Sequence, residues 1–328
     1  MRRRLTLSPR AYARITAITL VALGVIVLTG AGVRLTGSGL GCPDWPKCFG
    51  SVVAPLKTHA VIEYGNRLVS GIVGLIAVGA FVASFLRRPR RRGLVWLSAL
   101  LPLGIVAQAV LGGVTVTHKL APGYVMAHFG LSMLVLVAAF ALFWRARYEP
   151  HERPRSHDRL ITWLTRALLP VGAIAIFAGT AATAAGPHAG AAGTGEKVHR
   201  LTFKGADTLD WVIHQHAFVA ALLGLLALGS TILAWRRANI DRQLRDAVTV
   251  VTLLMATQGL VGETQYTLKL PTEIVWVHVG LATATWIAIL WAVAAAGRLA
   301  PRVPAGALDD ELDADRALSP PVPAADPR

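Results

Sequence analysis

The sequence predicts an all-α fold: a polytopic membrane protein of eight transmembrane helices, built as two parallel four-helix-bundle repeats about a pseudo-twofold axis along the membrane normal. Three observations predict it. Hydrophobic residues make up 54% of the 328 positions and charged residues only 16%, too apolar a balance for a soluble domain of this length. Eight runs follow one another, each near or above the roughly 18–20 apolar residues that cross a ~30 Å hydrocarbon core. The second half of the chain also repeats the first at a constant spacing.

Taken in order, the first span covers 15–36 and follows Arg2, Arg3, Arg4, Arg10 and Arg14. It ends in Arg34-Leu-Thr-Gly-Ser-Gly without a small-residue cleavage pattern, so it reads as a retained span and not as a signal peptide. A loop over 37–61 leads to the second span, 62–86, which is followed by Arg87, Arg88, Arg90, Arg91 and Arg92. The third and fourth spans, 94–116 and 122–144, are separated by the short loop 117–121. Arginines from Arg145 to Arg166 surround the break before the fifth span, 161–185. The loop 186–210 precedes the sixth span, 211–235, and Arg236, Arg237, Arg242 and Arg245 follow it. The seventh and eighth spans, 246–267 and 273–297, enclose the loop 268–272.

Arginine thus fills alternate loops, and short arginine-rich loops stay in the cytoplasm. Both termini are expected inside, with 37–61, 117–121, 186–210 and 268–272 outside. The net charge of +15 is therefore a topology signal, and nucleic acid is excluded as a partner. Five segments follow: an N-terminal segment 1–14, a first repeat 15–145, a linker 146–160, a second repeat 161–297 and a tail 298–328. The tail is rich in Pro, Ala and Asp and is expected to be disordered and cytoplasmic.

The repeat has an offset of 150. Gln108, Gly112, Lys119, Leu120, Val125, His128 and Gly130 return as Gln258, Gly262, Lys269, Leu270, Val275, His278 and Gly280. The same offset carries Val69, Gly74, Leu75 and Gly79 onto Val219, Gly224, Leu225 and Gly229. A unit of four spans returns the chain to its starting side, so the repeats are parallel and the inverted repeats of many transporters are disfavoured. His278 matches His128, whereas His216 matches Asn66 (278 − 128 = 216 − 66 = 150). One half keeps two histidines and the other keeps one.

All four positions lie near the start of the second and fourth span of their unit, at one depth close to the outer surface. Polar residues inside apolar spans are costly, which marks His128, His216 and His278 as functional candidates against the plainer reading of interhelical hydrogen bonds. Two histidines from facing helices can ligate a metal or clamp a porphyrin iron from both sides. Heme is preferred to bare zinc, because the second half offers no third or fourth ligand at metal spacing. Glu63 stands one helical turn before Asn66, where it can handle a proton, orient a substrate or simply reach water. Arg34 and Arg67 lie at similar outer depth, positioned to pair with heme propionates or, for Arg67, with Glu63 alone. His118, His188 and His214 read as interfacial and solvated. Cys42 and Cys48, the two cysteines of the chain, share the first outer loop and can form a disulfide there, either to fix the loop or to exchange electrons.

These residues resemble the heme A synthase family. The likeness runs in order through Arg34-Leu-Thr-Gly-Ser-Gly-Leu-Gly-Cys with Trp45-Pro-Lys-Cys, Ile62-Glu-Tyr-Gly-Asn-Arg-Leu, Ala127-His128, Gly186-Pro-His-Ala-Gly, His214-Gln-His216 and Val277-His278, covering the chain through about 297. The resemblance implies an enzyme that oxidises the C8 methyl of heme O to a formyl group through two hydroxylations and loss of water. By that likeness His216 and His278 hold a heme b cofactor, heme O binds in the first half with His128 as iron ligand, and Glu63 is the catalytic carboxylate. It further implies a lipid-bilayer setting near heme O synthase and an electron donor, and it leaves self-association into a homo-oligomer open. Two departures stand out. Better-known members carry histidine where this chain has Asn66, and the loop 186–210 lacks the second cysteine pair of some relatives. The rival readings are a b-type cytochrome that only relays electrons and a heme carrier that leaves its cargo unchanged.

Overall fold

In the computed structural model, which describes residues 6–149, 152–153, 156–191 and 194–299, the chain is all-helical. The elements are α1 (Pro9–Leu35), α2 (Thr58–Leu86), α3 (Arg92–Thr117), α4 (Pro122–Arg147), α5 (Arg159–Ala185), α6 (Thr208–Arg236), α7 (Arg242–Thr267) and α8 (Thr272–Ala296), with one 3₁₀ turn, Gly205–Asp207, ahead of α6. Each of the eight is long and apolar enough to cross a bilayer. Among the described residues there are isolated bridges but no strand. Arg2, Arg3 and Arg4 and nearly all of the expected tail lie outside the described residues.

The spans agree with the sequence expectation to within a few residues except at α1, which starts six residues before the expected 15. Ser8 caps it by accepting from the Ala11 N–H (3.2 Å), and Pro9 occupies the first helical position, where its missing N–H costs nothing. Arg10 and Arg14 therefore sit on the helix and not before it, long enough to carry their charge to its end.

Within each half the four helices close a ring. α1 packs on α2 and α4, and α3 on α2 and α4; α5 packs on α6 and α8, and α7 on α6 and α8. The halves meet where α1 touches α8, α4 touches α5 and α4 touches α8. Exchanging the halves turns the first of these contacts into the second. Helix bounds also return at the offset of 150, as 58–86 against 208–236 and 92–117 against 242–267.

A bilayer supplies little hydrophobic drive for helices to meet, so close packing and interhelical hydrogen bonds must do it. The buried faces accordingly hold alanine, with Ala77, Ala80 and Ala139 in one half and Ala227, Ala247 and Ala292 in the other. Tryptophans lock the halves together. Trp286 of α8 is buried in the core of the first half and donates from Nε1 to the Met133 carbonyl (3.2 Å), while Trp144 of α4 packs against the second core. Leucine, valine and phenylalanine cover the outside, as Leu75, Leu103, Phe177 and Leu225 show.

The arginine-rich end is knitted as well as charged. Arg87 is fully buried and paired with Glu149, which Arg91 also meets (3.4 Å). Arg153 pairs with Asp241 and Arg237 with Asp158, so the break between α4 and α5 is tied to the α6–α7 loop. At the opposite end the α3–α4 and α7–α8 turns are copies of one another. Lys119 and Leu120 (φ 49° and 56°) and Lys269 and Leu270 (φ 64° and 63°) stand in the left-handed region, which non-glycine residues avoid. Backbone bonds hold both turns, Leu120 N–H to Thr115 O (2.9 Å) and Leu270 N–H to Gln265 O (2.7 Å).

Candidate functional site

His216 on α6 and His278 on α8 face each other with ring centroids 6.1 Å apart. Each is the same number of residues into its helix as its first-half counterpart: eight for Asn66 and His216, six for His128 and His278. The His216 Nδ1–H donates to the Ala175 carbonyl of α5 (2.9 Å), which leaves Nε2 with its lone pair. Gly179, one turn further along α5, lets the ring in: a Cβ there would stand 3.0 Å from His216 Cε1. On the other side Gly262 of α7 lies against the His278 ring, and His278 Nδ1 has no partner.

Two imidazoles bonded to one ion from opposite sides at about 2 Å each, with ring centres roughly 1.2 Å behind the bonding nitrogens, stand up to ~6.4 Å apart. The observed 6.1 Å fits that arrangement. Among the described residues no three His, Cys, Asp or Glu side chains converge into a metal cage. A group that brings its own equatorial ligands and needs two axial donors, as a porphyrin iron does, suits this donor set.

The first half repeats the histidine side of the setting and changes the other, with Asn66 for His216 and Thr29 for Gly179. His128 lies against Gly112 of α3, where a Cβ would be 3.3 Å from its Cε1, and its Nδ1 is unpartnered like that of His278. Gln108 braces α4 by donating to the His128 carbonyl (3.1 Å) and to Ser132 Oγ (2.7 Å). Asn66 replaces the second imidazole. Its Nδ2 lies near Gly30 of α1, and its Oδ1 has no partner. Buried polar atoms without partners are uncommon, and here they recur at matched positions: His128 with His278, and Gln108 with Gln258. In both halves these atoms are buried and, among the described residues, no protein group pairs with them.

Glu63 is buried (6% exposed) and both of its oxygens are engaged. Oε2 accepts the Cys42 N–H (2.8 Å) and Oε1 pairs with Arg67 (2.6 Å). Arg67 also donates to the carbonyls of Asp44 (3.2 Å), Lys47 (2.9 Å) and Pro46 (3.4 Å), so it clamps the loop from below. The Arg67–Glu63 pair, one of the two pairings considered for Arg67, is present. The loop itself is closed by a Cys42–Cys48 disulfide whose cysteines are 0% and 1% exposed. Asp44 caps its turn by accepting from the N–H groups of Phe49 (2.6 Å) and Gly50 (2.8 Å), and those bonds, Gly50's foremost, hold its carboxyl below the usual carboxylate range.

Close approach fixes the loop to the helices. A Cβ on Gly41 would lie 2.1 Å from the His59 carbonyl of α2, and one on Gly113 of α3 would lie 2.6 Å from the Trp45 indole. Trp45 thus rests on the residue next to Gly112, against which His128 sits, and the disulfide loop borders the first-half site. His59 and the fully buried Ser38 share a hydrogen bond (2.9 Å) at the same border.

Arg34 reaches across to the other half, donating to the carbonyls of His188 (2.9 Å) and Thr183 (3.3 Å). The His188 ring donates in turn to the Leu270 carbonyl (2.8 Å), in the turn that leads into the helix of His278. His118 and His214 are exposed and bonded within their own helices, to Val114 O (2.9 Å) and Asp210 O (2.8 Å), away from the ring pair.

Fold and site together define a multi-pass membrane protein with a histidine pair inside one four-helix unit and a broken copy of that pair inside the other. A family model described as cytochrome oxidase assembly protein, COX15-CtaA, matches residues 13–204 and 188–318. The chain belongs to this family, which is that of the heme A synthases. Similar proteins include the "Heme A synthase" of Alkalihalophilus pseudofirmus, 33% identical over 39% of this chain and 43% of the relative. That of Shewanella oneidensis is 33% identical over 40% and 44%. That of Bacillus licheniformis is 29% identical over 38% and 42%. The matched stretch spans less than half the length of each of these relatives.

Proposed function

We propose that this protein is a heme A synthase, oxidising the C8 methyl of heme O to the formyl group of heme A in the service of cytochrome oxidase assembly. The observation that carries the reading is the inequality of two otherwise matched sites: a facing histidine pair at 6.1 Å in one half, and His128 with Asn66 in the other. The second half, 161–297, holds heme b between His216 and His278. The first half, 15–145, takes heme O, with His128 as its iron ligand. Arginine placement sets the orientation, with both termini cytoplasmic and both sites near the outer face.

The conversion is a four-electron oxidation, formally R–CH3 + H2O → R–CHO + 4 H+ + 4 e−, written as two hydroxylations to a geminal diol that loses water, and its electrons pass to an acceptor outside this chain. Bound heme b supplies the redox-active iron that side chains lack. The protein's own residues bind, orient and handle protons. His216 is aimed by the Ala175 carbonyl and so presents Nε2 to its ligand. Glu63 is the carboxylate beside the substrate site, receiving a proton at Oε1 or Oε2 while Arg67 and the Cys42 amide hold it in place. Arg67 holds Glu63 and the loop carbonyls and Arg34 braces a segment of the other half; both lie at that end, where a substrate propionate would share them with those partners. A lateral site between helices suits a lipid-like substrate that never leaves the bilayer.

The test is pigment extraction from cells that make heme O, with and without the protein. A formyl heme appearing only with the protein supports the synthase, whereas unchanged heme O points to the electron-relay or carrier readings. Normal conversion by Glu63→Ala would remove Glu63 from its role.

A further inference from the structure

We propose that the first-half site is an open one: His128 binds a heme iron from one side, and Asn66 leaves the other side to a small exogenous ligand, water or a diatomic gas, which its carboxamide holds by a hydrogen bond. This rests on the reading above that a heme enters the first half.

The bounds of α2 and α6 differ by 150 at both ends, so Asn66 stands on the same turn of the same helix as His216. The partner side is preserved, since His128 and His278 each lie against a glycine of the preceding helix and each leave Nδ1 unpartnered. The change falls on the opposite side, where Asn66 of α2 stands for His216 and Thr29 of α1 stands for Gly179. A carboxamide is a poor ligand for heme iron beside imidazole, and it is shorter by about one ring atom. It brings instead one acceptor and two donors. Asn66 Oδ1 is buried and unpartnered and can accept from a bound water, Nδ2 is the donor that a diatomic ligand needs, and Gly30 beside Nδ2 carries no side chain. In heme proteins the polarity, donors and steric access on the open side decide whether small ligands bind. The second half is closed by the same logic, because His216 is fastened to Ala175 and faces His278.

The experiment uses the full chain in detergent, loaded with hemin as probe, reduced with dithionite and titrated with carbon monoxide. Two hemes per chain, with carbon monoxide binding to half of them, is the expected result. Asn66→His should keep both hemes and abolish the carbon monoxide spectrum. Asn66→Leu should keep carbon monoxide binding but release the ligand up to about tenfold faster, with a raised C–O stretching frequency, because the hydrogen bond donated by the carboxamide Nδ2–H is gone. Two hemes with no carbon monoxide response in the unaltered protein would overturn the open site and leave the synthase reading intact. A single heme per chain that His128→Ala does not remove would overturn the reading of the first half itself. An Asn66→Leu variant indistinguishable from the parent would overturn the role of the carboxamide.

Discussion

Arg67→Ala should loosen the disulfide loop far more than an exposed arginine deletion would. Glu63 and Arg67 have side chains 8% and 20% exposed, so the substitution strands a buried carboxylate. Breaking a fully buried pair costs about 3–5 kcal/mol, and the partial exposure of Arg67 lets water into the gap, which brings the expectation to roughly 2–3 kcal/mol. The three loop carbonyls that Arg67 serves can turn to water and add little. At about 1.4 kcal/mol per tenfold, opening of the loop becomes ~100-fold more frequent. Because Cys42 and Cys48 are 0% and 1% exposed, a reductant reaches them only when the loop opens. The assay is the rate of disulfide reduction by excess water-soluble phosphine, followed by maleimide labelling and mass measurement. Glu63→Gln, which keeps an acceptor for the Cys42 amide, should give about a tenfold increase. An Arg67→Ala rate within twofold of the parent would refute the clamp.

Gly113→Val should expel Trp45 from its seat, since even a Cβ would fall 2.6 Å from the indole, and the tryptophan emission should shift to the red. Gly179→Ala should raise helix stability by up to about 1 kcal/mol while weakening heme retention, because its Cβ meets His216 Cε1 at 3.0 Å. A melting temperature that holds or rises while heme is lost on gel filtration is the expected pair of results. Asp44 has a depressed carboxyl pKa in the folded protein, so the stability it lends is present above the unfolded value and lost as pH falls through the folded one. Amide protection at Phe49 and Gly50, corrected for intrinsic exchange, should hold from pH 7 to about 5 and decline below about pH 4; Asp44→Asn should flatten that profile.

The helices were legible because apolar length and arginine placement are properties of single segments. The α1 start was missed although Ser8-Pro9 is a strong cap signal, because the apolar run begins only after Arg14. The inequality of Asn66 and His216 could be read from the offset alone. The seat of His216 could not. Gly179 corresponds to Thr29 in the first half, so comparing the repeats hides it (179 − 150 = 29). The Arg67–Glu63 pairing was among the sequence readings, but the other partners of Arg67, at Asp44, Pro46 and Lys47, offer backbone carbonyls, which carry no residue-type signal. The Arg34–His188–Leu270 chain eluded the sequence for the same reason.

The contact between α1 and α8 sets a timetable for biosynthesis. Trp276 Nε1 donates to the Leu28 carbonyl (2.9 Å) across 248 residues, and Gly280 lets Leu28 approach closely. At ribosomal speeds of about 5–20 residues per second, the first helix waits roughly 12–50 s in the membrane before its last neighbour exists. During that interval the Leu28 and Gly32 face of α1 is covered only by lipid or by a helper protein, and a ribosome stalled before α8 releases a chain with that seam unsealed.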